Sequence, residues 1–231
     1  MKMELYGQES KSIPQKVVIH VIEILLLGSS FWILFGSGGN WAESKLHIPN
    51  ATEGLERRVV IFVFHIITFL RLGYMMAVLL KRKIPWEESI SVLLAFALYY
   101  IGFSLFVLPA SHPLGIVDFI AITLFFFGSV LNTGGEILRN RWKKRPENKG
   151  KLYTGGLFSY SRHINYFGDL LWVIAYAMVT HNGYAAIIPV FLFCFFAFYN
   201  APKLDAYLQA KYGKEYDRYA SRTKMLIPFI Y

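Results

Sequence analysis

The chain has 231 residues, 55% of them hydrophobic and only 17% charged, where an ordinary soluble domain carries about 25% charged residues. Its net charge of +9 is not accompanied by a basic surface with interleaved aromatic platforms, which argues against nucleic-acid binding. With Cys194 as the single cysteine, an intrachain disulfide is impossible, and a thiolate is disfavoured in the apolar run around it.

Residues 1–16 are polar and mixed in charge, unlike a cleavable signal peptide, so the first apolar run, 17–36, is expected to remain as a span. It ends at Ser37-Gly38-Gly39-Asn40. The second run, 59–80, is closed by Lys81-Arg82-Lys83 and Pro85, and the third, 90–108, is stopped by Pro109 and Pro113. A fourth begins at 115–131 and continues as a polar helix to about Arg141, followed by a basic stretch over 139–151. Runs 168–180 and 184–199 are joined by His181-Asn182-Gly183, a good turn sequence, and read as a helical hairpin. Asn200 is placed to cap a last amphipathic helix with Pro202 in its early turn. Lys203 and Asp205 would then sit at an anion-favouring helix N-terminus. About 20 apolar residues cross a hydrocarbon core of about 30 Å, so the reading is an all-α polytopic membrane protein of about six spans. No repeat or long linker divides it: 1–231 is one membrane domain, with N-terminal spans over 1–114 and a second half over 115–231.

Orientation follows from the cations, which accumulate on the cytoplasmic side. Three lie before the first span, three at 81–83, seven at 139–151 and six after 202, which is 19 of the 24. Six spans with both termini cytoplasmic put all 19 on one side, in the endoplasmic reticulum of a eukaryote or the inner membrane of a bacterium. Lys45, Arg57 and Arg58 fall on the other side, where the Asn50-Ala51-Thr52 sequon also lies.

A charge at mid-bilayer costs at least about 2.5–3.5 kcal/mol and needs a reason. His20 and Glu23 share one face of the first span. His65 and Arg71 lie in the second, and Asp118 is near one end of the fourth. Helix–helix pairing, for example Glu23 with Arg71, and a substrate-pocket role are both open. Tyr99 and Tyr100 are either interfacial rings or pocket hydroxyls.

Asn132, Glu136 and Arg139 are spaced i, i+4, i+7, on one stripe of a helix leaving the membrane. Arg162, Asn165 and Asp169, at i, i+3, i+7, form a second stripe on a helix entering it. Two such stripes imply a shared polar cavity, unless each is simply a solvated helix end. The surrounding cations (Lys143, Lys144, Arg145, Lys149, Lys151, Lys203, Lys211 and Arg222) suit a ligand with several phosphates or an anionic lipid surface. No G-x-G-x-x-G follows a strand, no His/Cys set has zinc spacing, and Ser159 and Ser161 lack nucleophile-elbow glycines.

Ser161-Arg162-His163-Ile164-Asn165-Tyr166-Phe167-Gly168-Asp169 resembles the R-H-x-N-Y-x-G-D stretch of the delta-14 and delta-7 sterol reductases and the lamin B receptor. Gly155-Gly156-Leu157-Phe158-Ser159-Tyr160, followed by Asn165-Tyr166-Phe167-Gly168, is similar to a stretch of the steroid 5-alpha-reductases. Glu136-Ile137-Leu138-Arg139 resembles the preceding segment of both groups. The ending, Lys211-Tyr212-Gly213 with Tyr216 and Tyr219 and then Leu226-Ile227-Pro228-Phe229-Ile230, combines features of the two. The resemblance covers about 131–231 and implies a multi-helix membrane reductase with NADPH in a cytoplasm-facing pocket of its C-terminal helices. By motif position it makes Asn132, Arg139, Arg162, Asn165, Tyr166, Asp169, Asp205 and Tyr207 cofactor contacts. Lys203 joins them as a cation. Asp169 stands where the 5-alpha-reductases have glutamate, and Thr68 where they have a substrate-facing tyrosine.

Such a reductase delivers hydride to a C=C bond and needs an acid for the other carbon. Glu23 is the first candidate and Tyr74, beside Arg71 on the helix, the second. The substrate is expected to be lipophilic and to come from among the membrane lipids; no metal is expected, and the oligomeric state is not legible. The isoprenylcysteine carboxyl methyltransferases share R-H-P-x-Y-x-G, with Ile164 at the proline position, and would imply S-adenosylmethionine. A non-catalytic lipid or sterol binder is the third reading.

Overall fold

The computed structural model describes residues 10–231; of the N-terminal segment read as unlike a signal peptide, residues 1–9 lie outside the described residues. Every regular element among the described residues is helical. α1 (Ile13–Phe35) starts with Pro14 in its first turn, where a fixed φ and a missing N–H cost nothing. It stops at Gly36, whose N–H returns to Trp32 O at 3.0 Å. α2 (Gly38–Leu46) is a short helix at the site expected to be only a chain break. Its glycines are there for packing: a Cβ on Gly38 would lie 2.7 Å from Ile33 Cα, and one on Gly39 2.7 Å from the Asn50 amide.

α3 (Leu55–Tyr74) runs on into a π-helical turn, Met75–Leu79. α4 (Trp86–Ala97), a π turn at Leu98–Gly102 and α5 (Phe103–Val107) form one rod. α6 (Ile116–Ser129), a π turn at Val130–Gly134 and α7 (Gly135–Lys143) form another. α8 (Ile164–Thr180) is followed by a turn in which the Asn182 side chain accepts from Tyr184 N–H at 3.0 Å. A further rod comprises α9 (Ile187–Phe195), a π turn at Phe196–Asn200 and α10 (Ala201–Tyr212). α11 (Lys214–Ala220) follows Gly213, which turns the chain at φ +53.

Five of these rods, Ile13–Phe35, Leu55–Leu79, Trp86–Val107, Ile116–Lys143 and Gly183–Tyr212, are 22 to 30 residues long and apolar enough to cross a membrane. At about 1.5 Å per residue each exceeds a hydrocarbon core of about 30 Å. α8, at 17 residues, reaches about 26 Å and is the shorter sixth apolar helix. The burial pattern is that of lipid-facing helices: α1 hides Glu23 and Ser30 while Leu25 and Phe31 are exposed, because only the protein interior can satisfy polar groups. The chain is a polytopic, all-α membrane protein.

Two expectations change. Asn200 is not a cap: it lies in right-handed helical conformation within the π turn and makes no capping bond. The rod continues through it, so Lys203 and Asp205 stand inside a helix rather than at an N-terminus. Arg162 is not on α8. Its N–H donates to Lys224 O at 2.9 Å and that of His163 to Met225 O at 3.0 Å, and these lateral bonds hold the chain outside helical geometry until Ile164.

Two compact units form, one from residues up to Phe125 together with Val173–Pro189, the other from Phe126–Trp172 with Val190–Tyr231. In these terms 115–125 and 173–189, from the expected second half, belong to the first unit.

Candidate functional site

In the second unit, the crossing of the α6–α7 rod with α8 is set by two glycines. A Cβ on Gly128 would lie 2.6 Å from Gly168 O and 2.7 Å from Trp172 N, and one on Gly168 2.6 Å from Gly128 O and from Asn132 N. Only side-chain-free residues allow backbones so close, the small-residue device of membrane helices. One turn beyond, the Asn132 amide donates to Asn165 O at 3.2 Å. Asn165 Nδ2 donates to Glu136 Oε1 at 3.0 Å, and Arg139 pairs with Glu136 Oε2 at 2.5 Å. The structure thus brings Asn132, Glu136, Arg139 and Asn165 into one hydrogen-bonded set. Asn132 is buried, whereas Arg139 is about one-third exposed. Lys143 is close enough to feel the charges of Arg139, Lys211 and Glu136. Asp169, also on α8, accepts from the Trp172 indole at 2.8 Å.

A second set gathers on Asp205. Arg162 Nη2 donates to its Oδ2 at 2.9 Å, and His163 Nε2 lies 2.8 Å from its Oδ1. Arg162 Nη1 donates to Ala220 O and Thr223 O at 3.1 and 2.6 Å, so this guanidinium fastens the residues after α11 to the start of α8. Its buried Nε has no hydrogen-bond partner among the described residues. Burial raises the Tyr216 phenol, with the Asp205 carboxylate adding to the effect. Burial also raises Tyr219, whose hydroxyl donates to Phe158 O at 2.5 Å. Tyr166 is stacked between His163 and Phe196, at ring separations of 5.1 and 4.6 Å. The Lys203 ammonium sits 5.3 Å over the Tyr199 ring, and that of Lys211 5.8 Å over Tyr207.

The first unit holds the intramembrane polar residues. Glu23 is fully buried; Tyr100 donates to its Oε1 at 2.7 Å, and its Oε2 has no hydrogen-bond partner among the described residues. No Glu23–Arg71 ion pair forms among the described residues. His65 is also buried, but both its nitrogens are engaged, Nδ1 with Tyr176 Oη at 3.0 Å and Nε2 with Ser104 Oγ at 3.2 Å. The single Ser104 proton goes to Tyr100 O at 2.6 Å. His65 Nε2 must therefore donate to Ser104, and Nδ1 accept from Tyr176. Tyr99 and Tyr100 are both buried, whereas Tyr74 is 44% exposed.

Arg57, at the start of α3, is buried against Asp118 of α6 at 2.5 and 2.9 Å. Its remaining N–H groups go to the carbonyls of His112, Pro113 and Val179. Arg58 donates to Leu34 O, Ala51 O and Asn50 Oδ1, and Asn50 Nδ2 donates to Asn40. The sequon amide is thereby tied into the fold.

Sequence reasoning missed the glycine crossing and the His163–Asp205 contact. Gly128 was findable, standing four residues before Asn132 on the same helical face; the partner of His163, 42 positions away, was not.

Over 142 residues the chain is 32% identical to a delta(14)-sterol reductase of Schizosaccharomyces pombe, covering 53% of the chain and 33% of the relative. A 3-oxo-5-alpha-steroid 4-dehydrogenase 1 of Macaca fascicularis is 32% identical over 114 residues, 48% of the chain and 41% of the relative. A protein-S-isoprenylcysteine O-methyltransferase B of Arabidopsis thaliana is 30% identical over 115 residues, 47% of the chain and 58% of the relative. The chain thus spans between one-third and three-fifths of the length of these relatives. The resemblance to sterol and steroid reductases read from the C-terminal motifs is borne out at modest identity. The family model for "Protein of unknown function (DUF1295)" matches residues 79–223, well over half of the sequence, and the chain belongs to that family.

Proposed function

We propose that the chain is an NADPH-dependent membrane reductase of a carbon–carbon double bond in a sterol, steroid or other isoprenoid lipid. The observation that carries this reading is the joined set Asn132, Asn165, Glu136 and Arg139. Amide and carboxylate groups suit a nicotinamide amide and ribose hydroxyls, while Arg139 with Lys143 and Lys211 suits phosphates. Asp169, Tyr166, Tyr207 and Lys203 are the further proposed contacts. Arg162 and Asp205 keep their motif assignment, Arg162 through the Nε that has no hydrogen-bond partner among the described residues. The donor set fits the cofactor chemically. When bound, NADPH supplies the hydride; the residues of the chain orient it and deliver a proton. That proton falls to Glu23, whose Oε1 is held by Tyr100 while Oε2 remains available, with Tyr74 as the second candidate. The names of the sterol and steroid relatives support the substrate class.

The methyltransferase relative favours a second reading, S-adenosylmethionine-dependent methyl transfer, against which stand Ile164 at its proline position and the two paired amides. Equilibrium binding to the detergent-purified protein decides between them. NADPH is expected to bind, to be lost in Asp169→Ala, and to be unaffected by S-adenosylmethionine. Binding of S-adenosylmethionine without NADPH would reverse the choice, and binding of neither would leave a lipid or sterol binder.

A further inference from the structure

We propose that the turn over residues 226–231 is a membrane-surface anchor that inserts into an anionic phospholipid headgroup layer. The turn is held rigidly at its base. Lys224 O and Met225 O accept the N–H groups of Arg162 and His163, and the Ser161 hydroxyl reaches Met225 O and Leu226 O at 3.0 and 2.8 Å. Leu226 is completely buried in a cluster with Leu170, Phe196 and Ala197.

Beyond Leu226 the chain closes on itself. Ile230 N–H returns to Ile227 O at 3.1 Å, and Phe229 takes φ +67, a left-handed conformation uncommon for a residue with a bulky side chain. The outcome is that Phe229 and Ile230 are 78% and 74% exposed. Tyr160 stands beside them, exposed, with its ring edge-on to Phe229 at 5.9 Å. A fold that fixes three large apolar side chains outward at a strained turn calls for an apolar occupant.

The charge around the spike says which one. The segment 218–231 carries Arg218, Arg222 and Lys224 and no carboxylate, and Arg162 stands at the base of the turn. Of these, Arg162 is paired with Asp205, while Arg222 and Lys224 are exposed. Aromatic rings next to exposed cations match the boundary of an anionic bilayer, where rings sit at headgroup level and basic side chains meet lipid phosphates. This inference does not depend on the proposed reaction.

The test is collisional quenching of an environment-sensitive fluorophore on Phe229→Cys in a Cys194→Ala background. The protein is reconstituted in nanodiscs of phosphatidylcholine with or without phosphatidylglycerol, and Ser221→Cys serves as the aqueous reference. Doxyl-labelled lipid is expected to quench the label at 229 several-fold more than acrylamide does, and the label at 221 the reverse. Phosphatidylglycerol should deepen the difference, and Arg222→Gln with Lys224→Gln should remove that increment. Equal acrylamide quenching at 229 and 221 in both bilayers would overturn the proposal by placing the turn in water. Shielding from both quenchers would overturn it in favour of a protein partner. Loss of the phosphatidylglycerol effect alone would overturn the anionic specificity. Should Phe229→Cys fail to fold, Ile230→Cys reports the same depth.

Discussion

Glu23 and His65 are alike in the sequence, each an ionisable residue inside an apolar helix, and opposite in the structure. His65 has spent both nitrogens on Ser104 and Tyr176, so it joins helices. Glu23 keeps one oxygen without a hydrogen-bond partner among the described residues, and a buried polar atom left unmatched costs about 1–3 kcal/mol unless something binds it. The proposed acid is therefore Glu23. Glu23→Gln keeps the size and the hydrogen bond from Tyr100 but cannot give up a proton as the acid does. It should lower kcat by about 10²-fold or more while leaving the NADPH dissociation constant unchanged. Turnover equal to wild type would move the role to a tyrosine, Tyr74 first. That these residues mattered was legible from their cost in lipid; which of them was already satisfied was not. The partners of His65 lie 39 and 111 positions away, and spacing along one helix carries no information about them.

At the scale of elements, the spans were legible because lipid imposes length and composition, and the observed rods begin within about four residues of the expected ones. The stripe on the α6–α7 rod also survives, although Asn132 sits in a π turn that no composition announces. Three such wide turns interrupt rods among the described residues, and a fourth ends one. One of them, Leu98–Gly102, carries both Tyr99 and Tyr100 into the interior. π turns are frequent at functional sites, and each is a one-residue insertion in register that tertiary packing decides. The element that assembles the candidate site is the Gly128–Gly168 crossing. Gly128→Ala must push α8 away from the α6–α7 rod, costing about 1–3 kcal/mol as overpacking does and parting Asn132 from Asn165. A lowered melting temperature together with weakened NADPH binding is expected. Gly134→Ala is the control, since its Cβ meets only Val130 at an ordinary 3.7 Å. Equal behaviour of the two variants would show that the crossing does not position the amides.

For the whole molecule the question is orientation, which rests on the Lys and Arg count. Arg57 and Arg58 opposed the assignment of both termini to the cytoplasm, because they fall opposite the 19-cation majority. Neither is a free loop cation. Arg57 is buried and matched by Asp118 with every donor group satisfied, and Arg58 is divided among two carbonyls and Asn50. Both arginines still count on their side, where with Lys45 they make three cations against 19. The seven cations of 139–151 are the largest group in the count, which weighs Lys and Arg in short loops near the ends of spans. An activity reporter fused after Tyr231 should accordingly be cytoplasmic, and one inserted at the exposed Glu53 non-cytoplasmic. Inversion of both signals would reverse the topology, and agreement of the two on one side would require an odd number of crossings between Glu53 and Tyr231 to be replaced by an even one. Wherever the Tyr231 reporter appears on the non-cytoplasmic side, the headgroup layer facing the apolar turn after Leu226 changes with it.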